Sequence, residues 1–323
     1  MAQVFGPSNA FAAKVALSYT RAQEWIATDS IQNRYRARNS APQNLDVLAE
    51  QLPGSGSLSS EELALVTLFQ DYAQMYPTAQ PGTVSYGIPG YAEKDLLTES
   101  LAQSLKLNTG LFYESKMGWH AEYLMRYSRS TGVYQGNNRA YLKNFSLLQH
   151  KIGFNYRNFQ VKLYANTDQV GDSYDLVLTG ISIAQQQVPT ATRDFLLEYM
   201  QAMEALSNGF SEAPDEADRI VALSAGAQAA SLAFALPGTV EFENLLSITT
   251  QSTDRPVGSR YISRSSIYHG EVQYTLPLTF LKIMTGASIR RYQPRTEGRL
   301  FADTLMQNGE FRNIGFYEYG GFV

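Results

Sequence analysis

The side chains of this sequence that can do chemistry are few, and their types and spacing restrict what each could do. His120, His150 and His269 are scattered, and none has a second ligand at the spacing a metal ion needs. Asp168, Asp172 and Asp175 gather in "DQVGDSYD" and offer the hard oxygens that calcium takes. The full calcium-loop pattern is missing, so a solvated turn is the stronger reading. Glu61 and Glu62 open a helical run, where they complement its dipole and need no acid-base role. "GIPG" and "YGGF" do not lie between a strand and a helix, as a phosphate-binding loop does. There is no nucleophile elbow and no cysteine, so thiolate metal sites, disulfides and a cysteine nucleophile are excluded. No enzymatic activity, metal or cofactor is expected. Binding is what remains.

Composition narrows the partners. A formal net charge of −4 over 323 residues, with no long Lys/Arg run, makes nucleic acid an unexpected partner. No run of apolar residues is long enough for a membrane-spanning helix, although spanning strands stay open. "MAQVFGPSNAF" lacks the marks of a secretory signal. Aromatic residues are dominated by 21 Tyr and 16 Phe against 2 Trp, which favours strands and boundaries between wet and dry surroundings.

The polar residues are positioned by strands, as two-residue periodicity indicates. In "WHAEYLMRYS", Trp119, Ala121, Tyr123, Met125 and Tyr127 share one face, with Glu122 and Arg126 on the other. "LKLNTGLFYE" opposes Leu105, Leu107 and Leu111 to Lys106 and Asn108. "LLQHKIGFNY" sets Leu148, Ile152, Phe154 and Tyr156 against Lys151 and Asn155, with His150 as the apolar-side exception, and "FQVKLYAN" sets Val161 and Leu163 against Lys162. A third hairpin runs through "SIYHGEVQYT" and "FLKIMTGASIRRY", and single strands flank the three at about residues 11–26 and 313–323. Eight strands are predicted. The turns "SKMG", "RN" and "LPLT" are tight and lie at one end. The connections at the other end read as long: about 28–97, the "TGVYQGNNRA" stretch, about 169–260, and a loop near "QPRTEGRLFADTLMQNGEF".

The two longest connections carry helical patterns. "SSEELALVTLFQDYAQMYP" has a capping box from Ser59 to Glu62, a stripe of Leu65, Leu68, Phe69 and Tyr72, and a stop at Pro77. "TRDFLLEYMQAMEALSNG" ends at Gly209, "PDEADRIVALSAGAQAASLAFALPG" runs between Pro214 and Pro237, and a short helix follows over "VEFENLLSI". Two-faced strands with one-sided long connections fit an antiparallel transmembrane β-barrel segment, with short turns on one side and long loops on the other. A soluble β-rich binding protein with helical insertions is the alternative, because antiparallel sheets in water alternate as well. A non-transporting structural or adhesive barrel is another.

"YQGNNRAYLKNFSLLQHKIGF", "ANTDQVGDSYD", "SRSSIYHGEVQY" and "EYGGFV" resemble the barrel of TonB-dependent outer-membrane receptors of the Bacteroidetes type, in the SusC-like branch. The likeness runs from about residue 90 onward and is weaker over the first strand. It implies a 22-stranded barrel in the Gram-negative outer membrane that imports a glycan, peptide or chelate. This chain would supply about eight strands from within that barrel, with signal, plug, TonB box and closing strands absent. Implied partners are TonB through the plug, outer-membrane lipid and a SusD-like surface lipoprotein. On that reading Lys106, Asn108, Glu122, Arg126, Lys151, Asn155 and Lys162 line the lumen, and Tyr134, Gln135, Asn137, Asn138 and Arg139 sit near its mouth. The candidate substrate-binding residues are Tyr134, Gln135, Asn137, Asn138, Arg139, Arg126 and Glu122.

Overall fold

A computed structural model of the chain describes residues 2–5, 10–26, 34–35, 43–52, 58–84, 86–88, 90–136, 139–254, 256–298, 306–307, 310–311 and 315–323. Two compact units are present. Met1–Ile26, Leu97–Val177 and Thr250–Val323 form one, and Ala27–Leu96 with Leu178–Thr249 form the other.

The first unit is an antiparallel sheet. Its strands are β1 (Ala2–Phe5), β2 (Phe11–Gln23), β3 (Leu101–Glu114), β4 (Trp119–Gln135), β5 (Arg139–Tyr156), β6 (Phe159–Gln169), β7 (Tyr261–Pro277), β8 (Lys282–Gln293) and β9 (Phe316–Phe322). They pair in chain order from β1 to β9, and among the described residues nothing joins β9 back to β1, so the sheet is open. Tyr174–Asp175 adds to β5 and Thr296–Gly298 to β7. The three predicted hairpins are present, with Leu111 opposite Tyr123, Ile152 opposite Leu163, and Val272 opposite Ala287, although the third turns two residues later than "LPLT", between Pro277 and Lys282. The tight turns lie at the lower end, and the end holding Gln23, Gln135, Gln169 and Gln293 is the upper one.

One connection differs from expectation. The "TGVYQGNNRA" stretch is not a long loop, because β4 continues to Gln135 and β5 begins at Arg139. An irregularity hides this in the sequence. The β4–β5 register shifts between Ser130 and Gly132, and Asn144 adopts φ 60°, which inserts an extra residue into β5 and breaks its alternation. Asparagine tolerates that left-handed backbone better than most residues. Gly171, at φ 68°, packs its Cα against the carbonyls of Lys143 and Asn144, where a Cβ has no room.

The second unit is helical, with α1 (Leu45–Gln51), α2 (Ser60–Met75) and α4 (Glu216–Leu232), together with all but the first two residues of α3 (Leu176–Leu206) and all but the last two of α5 (Val240–Gln251). The α2 capping box forms as predicted: Glu62 N–H donates to Ser59 Oγ at 3.2 Å, and Ser59 N–H to Glu62 Oε2 at 2.7 Å. That backbone bond is the first reason the Glu62 carboxyl lies below the ordinary range. The buried stripe of α2 is Val66, Phe69, Tyr72 and Ala73 rather than one through Leu68, which is exposed. Helix α3 starts sixteen residues earlier than the Thr192 start of the helical run, carrying Pro189 inside it. Proline and Gly180 argue locally against a helix there, and burial of Ile183, Ala184 and Ala191 overrides them.

Tyrosines tie this unit together. Tyr72 Oη donates to the Glu212 carbonyl at 2.7 Å, Tyr199 Oη to the Ala79 carbonyl at 2.6 Å, and Tyr86 shares a 2.6 Å bond with Thr192 Oγ1. Gln187 Nε2 donates to Tyr91 Oη at 2.9 Å. Burial raises the phenols of Tyr72, Tyr86 and Tyr91, and that of Tyr199 to about 12.

A folded-state value above the unfolded one, roughly 10, gives stability that is full below pH ~10 and lost as pH rises to about 12. Helical circular dichroism is expected to fall across that window. In Tyr199→Phe the alkaline fall is shallower, while stability at neutral pH drops by about 1 kcal/mol for the lost hydrogen bond. A helical signal that collapses below pH 9 in the parent chain contradicts this account.

Candidate functional site

The pleat sorts the side chains of β2–β9 onto two faces of opposite character. One face carries Phe11, Val15, Leu17 and Tyr19 of β2, Leu107 and Leu111 of β3, Tyr123 and Tyr127 of β4, and Leu148 and Ile152 of β5. It continues through Val161 and Leu163 of β6, Val272 and Tyr274 of β7, Ile289 of β8, and Tyr317 and Tyr319 of β9. Many of these are open to the surroundings, with Leu17 at 66%, Ile152 at 49% and Tyr319 at 73% exposure. The buried apolar side chains described in this unit, Ala140, Tyr141, Val170, Tyr174, Leu176 and Tyr261, all lie at its upper end. Below that end, no apolar layer covers the sheet among the described residues.

The opposite face is polar, and its groups pair directly across the strands. Arg126 Nη1 donates to Gln149 Oε1 at 3.2 Å, and Gln149 Nε2 passes the contact on to Asn166 at 2.9 Å. Gln160 Nε2 bonds Asn155 at 2.7 Å. Lys151 reaches diagonally to Glu122 at 2.8 Å, over Gly153, where a Cβ would meet the Glu122 side chain at 2.7 Å. Across β6–β9, Lys162 pairs with Glu271 at 3.3 Å and Arg290 with Glu318 at 3.5 Å, and Tyr292 Oη donates to Glu318 at 2.8 Å.

His269 is the centre of that second group. Its ring is buried and stacked on Tyr164 with centroids 4.5 Å apart. Arg290 Nε donates to its Nδ1 at 3.0 Å, so the ring proton sits on Nε2, 3.6 Å from Glu271. Alternation alone did not single out His269, Arg290, Glu271 and Glu318 as one network. Strand register puts them together.

The β2–β4 part of the polar face is different. Lys14 lies opposite Gly110, Lys106 opposite Ser18 and Ser128, and Arg126 opposite Asn108. Among the described residues none of these three cations is in an ion pair. A band of positive charge without local neutralisation therefore runs beside a section that is internally paired.

The seven residues singled out in the sequence divide into two places. Glu122 and Arg126 lie on the polar face, whereas Tyr134, Gln135 and Arg139 close the upper end of β4–β5, with Gln135 opposite Arg139. Nine residues of strand, about 30 Å, separate Arg126 from Gln135. Gln135 Nε2 donates to the Trp25 carbonyl at 3.4 Å, and Tyr134 is exposed. Asn137 and Asn138 lie outside the described residues.

The three aspartates form no cation cage. Asp172 accepts from Arg260 at 3.1 Å and from Asn144 at 3.2 Å, and Asp175 accepts from Tyr261 Oη at 2.9 Å. Among the described residues no cluster of His, Asp or Glu is arranged to hold a metal. Beside them a pocket of about 270 Å³ is lined by Thr98, Lys143, Asp172, Tyr174 and Arg260, with Lys143 paired to Glu99 at 3.0 Å.

No family model, curated protein or solved structure matches the chain.

Two substitutions separate the upper end from the polar face. The buried Tyr141 hydroxyl has no partner among the described residues, and burial pushes it well above its ordinary range. Tyr141→Phe is expected to stabilise the fold by about 1 kcal/mol, because it removes an unsatisfied buried group. Glu271→Ala strands Lys162 and is expected to cost about 1 kcal/mol, a modest figure because Lys162 is partly exposed. Chemical denaturation of both variants gives opposite signs if the assignment is right.

Proposed function

We propose that the sheet is a section of transmembrane β-barrel wall, with its apolar face against lipid and its polar face lining an aqueous lumen. The observation that carries the reading is the inverted burial: a continuous apolar face stands exposed while the opposite, polar face is stitched together by hydrogen bonds and ion pairs. In water a face of that extent is a liability. Against hydrocarbon it is the lower-energy arrangement, and the polar groups stay wet inside. A sheet in hydrocarbon also tolerates no unpaired edge. Further strands beside β1 and β9 would therefore complete the wall, and a 22-stranded closure accommodates them.

Within that frame the resemblance to TonB-dependent receptors of the SusC-like branch supplies the activity. The chain would act in nutrient uptake across a Gram-negative outer membrane, with energy delivered by TonB through a plug and a surface lipoprotein as partner. No covalent chemistry is required. Ligand capture falls to the lumen wall and upper end, and the unpaired Lys14, Lys106 and Arg126 favour a nutrient bearing carboxylate, sulfate or phosphate groups over a neutral one.

Partition between buffer and phosphatidylcholine vesicles tests the wall directly. The chain is expected to enter the vesicles. Val161→Lys and Val272→Lys, opposite one another on the apolar face, each weaken uptake by about 2–4 kcal/mol, whereas Lys14→Gln on the polar face leaves it unchanged. A parent chain that is monodisperse in plain buffer and ignores vesicles overturns the reading.

A further inference from the structure

The apolar face has a charge pattern of its own. Over the paired lengths of β2 to β9 it bears no lysine, aspartate or glutamate, and its charged residues are Arg21, Arg129, Arg139, Arg264 and Arg291, every one at the upper end. Below Arg264 on β7, the same face continues as Ser266, Tyr268, Gly270, Val272 and Tyr274. Below Arg291 on β8 it continues as Ile289 and Ala287. Tyr19, Tyr127 and Tyr268 each lie just below the arginine of their own strand, and Tyr317 stands opposite Arg291.

Two of these arginines are drawn into a pocket. Arg264, Arg291 and Arg295 frame a depression of about 440 Å³ together with Ser266, Gln293, Pro294 and Gly315. The backbone fixes their spacing, since Arg264 N–H donates to the Arg295 carbonyl at 2.8 Å and Arg291 stands opposite Tyr268. Arg291 lies over the Tyr317 ring, 5.6 Å from its centroid, which orients the guanidinium without neutralising it. Among the described residues neither Arg264 nor Arg291 is in an ion pair, and no carboxylate lines the pocket. Arg264 and Arg291, two planar forks outside any ion pair among the described residues, border one depression and suit a tetrahedral oxyanion, which takes two-pronged hydrogen bonds from each.

We propose that this pocket binds a phosphate group, and that the phosphate belongs to a lipid headgroup. The location selects the lipid: the pocket opens on the apolar face and not on the polar one, just above the tyrosines, at the height where acyl chains give way to headgroups. The proposal rests on the membrane-wall reading. It adds a ligand class on the side of the sheet facing away from the nutrient path.

The test uses the full chain in neutral maltoside micelles, titrated with dihexanoyl phosphatidic acid or with inorganic phosphate, retention being read by native mass spectrometry. Phosphatidic acid is expected to stay bound, and Arg264→Gln with Arg291→Gln weakens it roughly tenfold per guanidinium. Arg264→Lys and Arg291→Lys keep the charge but not the fork, and fall between. Lys116→Gln, in the tight turn at the lower end, has no effect. Equal retention of inorganic phosphate at the same arginines upholds the phosphate site and overturns the lipid assignment. Binding of neither, by a chain that still enters phosphatidylcholine vesicles, overturns the proposal and leaves the wall standing. A chain that refuses vesicles altogether takes both down.

Discussion

Register is the constraint on which this structure depends. Because a strand's side chains alternate with a period of two, a slip of one residue in any pairing would move its leucines and tyrosines onto the face of the lysines and glutamates. Pairs between directly opposed residues oppose such a slip. Lys162 meets Glu271, His269 meets Arg290, and Arg290 meets Glu318, each across neighbouring strands. Individually such contacts are weak where they are wet. As a series they make one alignment better than any shifted one.

The two units draw on different physics. The helical unit has an ordinary aromatic interior, with Phe69, Tyr72, Phe195, Tyr199 and Phe242 buried and the tyrosine hydroxyls satisfied. The sheet unit lacks such an interior below its upper end, so backbone ladders and cross-strand polar pairs hold it. The contrast accounts for the division of the tyrosines. In the helical unit they are anchors inside a core, and on the sheet several, such as Tyr19, Tyr268 and Tyr319, stand exposed on the apolar face.

Much of this was legible in the residues. The hairpins around "SKMG", "RN" and "LPLT" declared themselves by uninterrupted alternation, and Ser59 with Glu62 declared the start of α2 by a pair of reciprocal bonds that only a helix end allows. What stayed hidden depended on context. The upper halves of β4 and β5 were masked by one extra residue at Asn144, the first half of α3 by Pro189, and the true buried stripe of α2 by Leu68. The His269 network could not be read at all without register, since its members come from three different strands. Tyr134, Gln135 and Arg139 were separated from Glu122 and Arg126 by the strand reading, and the register places them at the upper end of β4–β5, well above Arg126.

The irregularity at Asn144 has a further consequence. By admitting one surplus residue it uncouples the inside-outside sorting above it from the sorting below, so the upper segment can change its own alternation while the lower stays fixed. Excising that residue would turn the top of β5 inside out, carrying Tyr141 across to the other side. The strand thus behaves as two independently addressable halves joined by a swivel, and substitutions in the upper half need not disturb the sheet beneath it.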